Sequence, residues 1–105
     1  MFQKDLLKNK RILVTGGGSG LGKAMATRYL ELGAEIYICG RRKSVLEETA
    51  KEMMNLHGGS VKAMACDIKV PEAIEEMIEN IWSEGPLSGL VNNAAGNFIS
   101  RTEDL

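Results

Sequence analysis

The stretch LVTGGGSGLGKA, residues 13–24, decides how the rest of the chain is read. An apolar run passes into a glycine-rich turn and then into helical spacing. Such a turn brings backbone N–H groups and the positive end of a helix dipole onto an anion, so a phosphate is the expected ligand. The spacing decides which phosphate compound. From Gly17 the run reads G-G-S-G-L-G-K-A, the triphosphate loop G-x-x-x-x-G-K-[ST] with alanine in the last place. The missing hydroxyl is the one that holds Mg²⁺, and Ala24 cannot ligate a metal. One feature supports the triphosphate reading: the run AMAC ends in Asp67, as a metal-holding carboxylate is presented in phosphate-loop ATPases. The dinucleotide fingerprint G-x-G-x-x-G is also unmet, because its third glycine falls on Leu21 counted from Gly16 and on Lys23 counted from Gly18. What the chain does carry is T-G-x-x-x-G-x-G, on Thr15, Gly16, Gly20 and Gly22.

Outward from this turn, three apolar runs lack clean polar alternation: RILVT (11–15), AEIYIC (34–39) and GLVN (89–92). That is the pattern of parallel strands covered on both faces. VKAMAC (61–66) alternates weakly and reads as a fourth. Between them lie helical patterns. The clearest stripe is Ile74, Met77, Ile78, Ile81 and Trp82, with carboxylates opposite and Pro71 in the first turn. A second helix is expected after Ser44, whose S-x-x-E with Glu47 is a capping box; Val45, Leu46, Thr49, Ala50 and Met53 would face inward, and Gly58-Gly59 would stop it. The first helix opens inside the glycine run and ends at Gly33. The order βαβαβαβ implies an α/β fold with a parallel sheet and right-handed crossovers.

Composition agrees with one globular domain or part of one: 105 residues, 44% hydrophobic and 26% charged, with a net charge of −1. That charge speaks against nucleic acid held by phosphate neutralisation. The opening MFQKDLLKNK is too charged for a signal-peptide core, and no segment reaches the roughly 18 apolar residues of a membrane span, so a cytoplasmic protein with no membrane partner is expected. Cys39 and Cys66 lack a further Cys or His at ligand spacing and are expected to be buried reduced thiols, not metal ligands. The methionines are expected to fill core. His57, the only histidine, stands at a helix end where a surface or capping role is expected.

A second motif, LVNNAAG at residues 90–96, follows the last apolar run. With T-G-x-x-x-G-x-G it makes the chain resemble the short-chain dehydrogenase/reductase family from about Arg11 onward. The resemblance implies the N-terminal portion of a doubly wound parallel sheet (Rossmann fold), with strand order 3-2-1-4. It assigns Gly16, Gly18, Gly20, Leu21 and Gly22 to a turn over the cofactor's pyrophosphate, Asn92 both to satisfying backbone groups across the sheet and, through its backbone, to the ribose, Ala94 to the cofactor, and Asp67 with Ile68 to the adenine; Ser19 either assists a 2′-phosphate or keeps the turn polar. From sequence alone, Asp67 is equally well an ordinary turn residue.

An NAD-preferring site wants a carboxylate at the end of the second strand. That strand ends Cys39-Gly40-Arg41-Arg42, and two guanidinium groups there suit a 2′-phosphate, which a planar guanidinium can bind bidentately. NADP(H) is therefore the expected cofactor, with Arg41 as principal contact and Arg42 as a weaker one. The plainer alternative is a solvated basic turn. Lys23 is expected either to steer anions or to snorkel from its helix.

The family transfers hydride with a serine and a Y-x-x-x-K pair, the lysine lowering the tyrosine's pKa so that it can act as general acid. Here Tyr29 is followed four residues on by Gly33, and Tyr37 by Arg41, so neither begins that motif. No catalytic residue is expected within residues 1–105. They read as a single incomplete NADP-binding domain, inactive alone, whose frame continues past Leu105 and whose full-length form is a homo-oligomer. NNAAGNFIS (92–100) looks most like the 2,4-dienoyl-CoA and trans-2-enoyl-CoA reductase branch, which implies hydride transfer from NADPH to an acyl-CoA thioester in fatty acid metabolism. Phe98 is a candidate for the acyl pocket, although packing under the next helix is the commoner role for an aromatic there. Arg101, where that branch has proline, and Ser88-Gly89, where an acidic-apolar pair is usual, depart from the pattern. A 3-oxoacyl or carbonyl reductase of the same family, and a non-catalytic NADP-binding module, are the alternatives.

Overall fold

The computed structural model describes residues 6–16 and 20–92. Four strands alternate with three helices: β1 (Arg11–Thr15), α1 (Gly20–Glu31), β2 (Glu35–Gly40), α2 (Lys43–His57), β3 (Val61–Ala65), α3 (Pro71–Glu84) and β4 (Gly89–Asn92). All pair in parallel in the order β3-β2-β1-β4, with Val14 facing Ile38 on one side and Val91 on the other. The expected architecture and strand order are those observed. Among the described residues no helix is long and apolar enough to cross a membrane.

The strands lack polar alternation because both faces are covered. Ile12, Val14, Ile36 and Ile38 turn to one side and pack with Ala26 and Leu30 of α1 and Leu46, Ala50 and Met53 of α2. Leu13, Tyr37 and Cys39, offset by one residue, turn to the other side and meet Met77 and Ile81 of α3. Right-handed crossovers dictate this split. The chain steps outward from β1 to β2 to β3, so α1 and α2 share a face, then reverses past β1 to β4, which puts α3 on the opposite face. Each fully buried isoleucine contributes about 1.5–3 kcal/mol of apolar burial.

The helices correct three expectations. α2 begins at Lys43, with extended Arg42 as its N-cap, and has no side-chain cap hydrogen bond; Ser44 is already inside the first turn, so the Ser44–Glu47 capping box does not form. The carbonyl of Arg42 accepts from the Leu46 N–H, which sets that start. Val45 is 46% exposed, because the buried stripe runs Leu46, Thr49, Ala50, Met53 and leaves Val45 at its margin. Trp82 is 53% exposed, one position round the helix from Ile81, which takes the contact with the sheet. In α1 the buried face is Gly22, Ala26 and Leu30, small at its N-terminal half, so the helix can approach the sheet closely beside the glycine turn.

At the N-terminal edge of the sheet, Tyr37 fastens α3 to the strands. Arg11 Nη1 donates to its hydroxyl at 2.6 Å, and the hydroxyl donates to Glu84 Oε1 at 2.6 Å. Lys62 Nζ also donates to Glu84 Oε1, at 2.9 Å. Gly85 closes α3 with φ 156°, which L side chains rarely adopt, and an added Cβ there would lie 2.7 Å from Arg11 Nε and push that guanidinium aside. Ser88 then binds β1 through both its Oγ, which accepts from the Arg11 N–H at 3.1 Å, and its own N–H, which donates to the Arg11 carbonyl. This starts β4 beside β1.

Burial, with Glu84 accepting its hydrogen bond, pushes the Tyr37 hydroxyl up to about 12. The Tyr37 and Lys62 hydrogen bonds hold Glu84 below the usual carboxylate range. Tyr37→Phe is expected to lower stability by about 1–2 kcal/mol at neutral pH, read from the denaturant midpoint. Wild-type stability should also fall as pH rises from about 10 to about 12, where the unfolded tyrosine ionises and the folded one does not. An equal alkaline loss in the phenylalanine variant would show that Tyr37 does not carry that limb.

Candidate functional site

Parallel pairing brings the carboxyl ends of all four strands to one edge, and the order reverses between β1 and β4. In open α/β sheets a ligand crevice forms outside such a reversal point. Gly16 leaves β1 with φ 67°, a backbone that L side chains rarely adopt, and its N–H donates to the Cys39 carbonyl at 3.3 Å. Gly20 opens α1 with φ 59°, Leu21 is exposed in the first turn, and Gly22 is buried. Gly18, Ser19 and Ala94 lie outside the described residues. Asn92 ends β4 opposite Thr15.

Two adjoining cavities open along this edge. The first, of about 250 Å³, is lined by Gly16, Cys39, Gly40 and Arg41 on one side and by Cys66, Asp67, Ile68 and Lys69 on the other. The second, of about 320 Å³, shares Gly16 and Arg41 and continues to Arg42, Val45 and Leu46. Arg41 is thus the charged residue common to both, and it is exposed. The cavity also brings Asp67 and Ile68 within one wall, an acceptor beside an apolar side chain.

Asp67 does form the turn that its sequence allows: Oδ1 accepts from the Lys69 N–H at 3.0 Å, and its carbonyl accepts from the Val70 N–H at 3.0 Å. This holds the carboxylate in a fixed orientation at the cavity wall. Cys39 and Cys66 are both buried free thiols, as expected. Burial pushes Cys39 up to about 12, and burial followed by the charge of Asp67 raises Cys66, so both stay protonated at neutral pH and serve as apolar lining. No metal-binding cluster of His, Cys, Asp and Glu occurs among the described residues.

Lys23 takes a third course that its sequence did not suggest. Its Nζ meets Glu52 Oε1 at 2.6 Å and ties α1 to α2. His57 is exposed at the end of α2, with Nδ1 3.5 Å from Glu31 Oε2. Lys69 was not among the expected site residues; its signal was only its place two residues past an aspartate that ends a strand.

The chain matches the family model described as short chain dehydrogenase over residues 10–105. It is 47% identical to "Probable 2,4-dienoyl-CoA reductase 3" of Caenorhabditis elegans, over the whole of this chain and 35% of that protein. It is 42% identical to "Probable 2,4-dienoyl-CoA reductase" of Bacillus subtilis, over 94% of this chain and 39% of that protein. Among solved structures, the citronellol catabolism dehydrogenase of Pseudomonas aeruginosa superposes with a TM-score of 0.82 at 42% identity, over 88% of this chain and 38% of that one. L-sorbose reductase of Gluconobacter frateurii, solved with NADPH and L-sorbose, gives a TM-score of 0.81 at 31% identity, over 89% and 36%. The chain therefore spans little more than a third of the length of these relatives. The glycine turn after β1, the parallel order β3-β2-β1-β4 and this similarity agree, and the chain belongs to the short-chain dehydrogenase family.

Proposed function

We propose that the chain is the cofactor-binding portion of an NADPH-dependent oxidoreductase that reduces an acyl-CoA thioester, with 2,4-dienoyl-CoA as the favoured substrate class. The observation that carries the cofactor reading is Arg41, standing at the carboxyl end of β2 and lining both cavities where an NAD site would have a carboxylate. The residues present fit such a cofactor. Asp67 and Ile68 offer an acceptor and an apolar wall for adenine, Arg41 and Arg42 offer guanidinium groups for a 2′-phosphate, and the amino end of α1 faces the pyrophosphate side.

NADPH would supply the hydride. The chain's own residues bind and orient the cofactor: Gly16 lets the backbone turn closely under it, buried Gly22 lets α1 approach the sheet, and the Lys69 N–H holds Asp67 in place. The serine and the Y-x-x-x-K pair that would move the proton are not placed by this sequence, since neither Tyr29 nor Tyr37 begins that spacing. Substrate class rests on the relatives named as dienoyl-CoA reductases and on NNAAGNFIS, whose residues after Asn92 lie outside the described ones.

The test is to supply the full-length protein with NADPH and either 2,4-dienoyl-CoA or 3-oxoacyl-CoA and follow loss of the reduced nicotinamide. Consumption with the dienoyl thioester is expected. Turnover with the 3-oxoacyl thioester alone would replace this reading with a carbonyl reductase, the class to which the neighbour named L-sorbose reductase points. Cofactor binding without turnover of either would indicate a non-catalytic module.

A further inference from the structure

Arg11, Lys23, Arg28, Lys43 and Lys62 each lie beside a glutamate. Among the described residues Lys8, Lys10, Arg41, Arg42, Lys51 and Lys69 have no such ion pair, and of these Arg41, Arg42 and Lys69 line the two cavities at the carboxyl edge of the sheet. Strand register explains how Lys69 comes there. Gly40 pairs with Ala65, and the Cys66 N–H donates to the Gly40 carbonyl at 2.8 Å, so the chain leaving β3 runs beside the chain leaving β2. Arg41 and Lys69 therefore stand on opposite walls of one cavity. The single carboxylate between them, Asp67, is engaged by the backbone N–H of Lys69 and not by its ammonium group.

We propose that Lys69 is a second specificity-determining residue for the cofactor's 2′-phosphate, adding its charge across the cavity from Arg41; this rests on the NADPH reading above. Arg41 supplies the directed, bidentate contact, and Lys69 supplies a point charge on a flexible stem. A ligand with a 2′-phosphate brings about two further negative charges to this edge, and the unpaired cations there lower its free energy relative to the ligand without it. The stem of Lys69 extends the apolar wall begun by Ile68, a contribution that both cofactors would share.

The experiment measures dissociation constants of NADPH and NADH for the full-length protein by reduced-nicotinamide fluorescence, in wild type and in Lys69→Glu, Lys69→Met and Lys69→Arg. Reversal of the charge on an exposed side chain beside the phosphate, in water and partly screened by salt, is expected to weaken NADPH about fivefold and NADH less than about twofold. Lys69→Met keeps the stem and should lose part of the preference, Lys69→Arg should keep it, and the Lys69→Glu effect should shrink at high salt. An unchanged NADH-to-NADPH ratio in Lys69→Glu overturns the role of Lys69 while leaving the cofactor reading intact. A wild-type protein that binds NADH as tightly as NADPH overturns both together. The exposed side chain makes misfolding an unsuitable explanation for a selective loss, and unchanged NADH binding in the same variant provides the internal control.

Discussion

Arg41→Asp in the full-length protein is expected to shift the ratio of NADPH to NADH affinity toward NADH by about two orders of magnitude. Two effects act in the same direction. The variant loses a charge-assisted hydrogen bond, worth about 1.5–3 kcal/mol, and sets a carboxylate against the 2′-phosphate, where like charges repel. The same carboxylate at the end of β2 can accept from both ribose hydroxyls of NADH, so NADH should bind better than in wild type. Arg41→Ala separates these contributions, since it removes the guanidinium without offering an acceptor; it should weaken NADPH and leave NADH near its original affinity. Arg42→Ala should have a smaller effect, because Arg42 lines only the second cavity and serves through its backbone as the N-cap of α2. Arg41 is exposed and has no ion pair among the described residues, so the substitution should leave the fold intact. Equilibrium titration with both reduced cofactors reads the ratio directly. A ratio unchanged by Arg41→Asp would remove Arg41 from the site and return it to the reading of a solvated basic turn.

Legibility in the sequence followed the distance over which each feature is determined. The strands were readable because burial on both faces erases polar alternation within a few residues, as in Arg11–Thr15 and Glu35–Gly40. Their order was accessible through the family resemblance, and the handedness of the crossovers then fixes which face each helix covers. The strand-end residues Gly16, Arg41, Asp67 and Ile68 were singled out by the glycine motif, the basic end of β2 and the family resemblance, and they line one cavity because a parallel sheet puts every carboxyl end on the same edge. Contacts made between distant segments were not accessible. Lys23 and Glu52 are brought together by the packing of α1 on α2, and the Arg11–Tyr37–Glu84 chain of hydrogen bonds needs the lengths of α3 and β2 to match. Lys69 joins the cavity only through the register of β2 with β3. The capping box at Ser44 failed for a local reason: S-x-x-E marks a helix start only where the chain is still extended at the serine, and here the extended residue is Arg42.

The second large effect is one of stability. Ile38→Ala is expected to cost about 3 kcal/mol and to lower the thermal midpoint of the full-length protein by about 6–12 °C, followed by circular dichroism. Ile38 lies in β2 with a strand on either side, paired with Val14 and Ala63, and has no exposed surface. Leu46, Ala50 and Met53 of α2 belong to the same cluster. Little there can collapse into the space a truncation leaves: both neighbours are held in the ladder, and Ala63 has no reach. The loss should therefore include a cavity contribution beyond the transfer of the side chain. Ile38→Val removes one methylene and should cost about 1 kcal/mol, whereas Leu56→Ala, at a position 70% exposed, should stay within about 0.5 kcal/mol. Ile38 turns to the α1 and α2 face, and neither cavity includes it, so the NADPH-to-NADH ratio should be unchanged in any fraction that remains folded. A destabilisation below about 1 kcal/mol for Ile38→Ala would mean that the layer of α1 and α2 repacks freely over the sheet. A changed cofactor ratio would mean that the core beneath Gly40 helps to position Arg41.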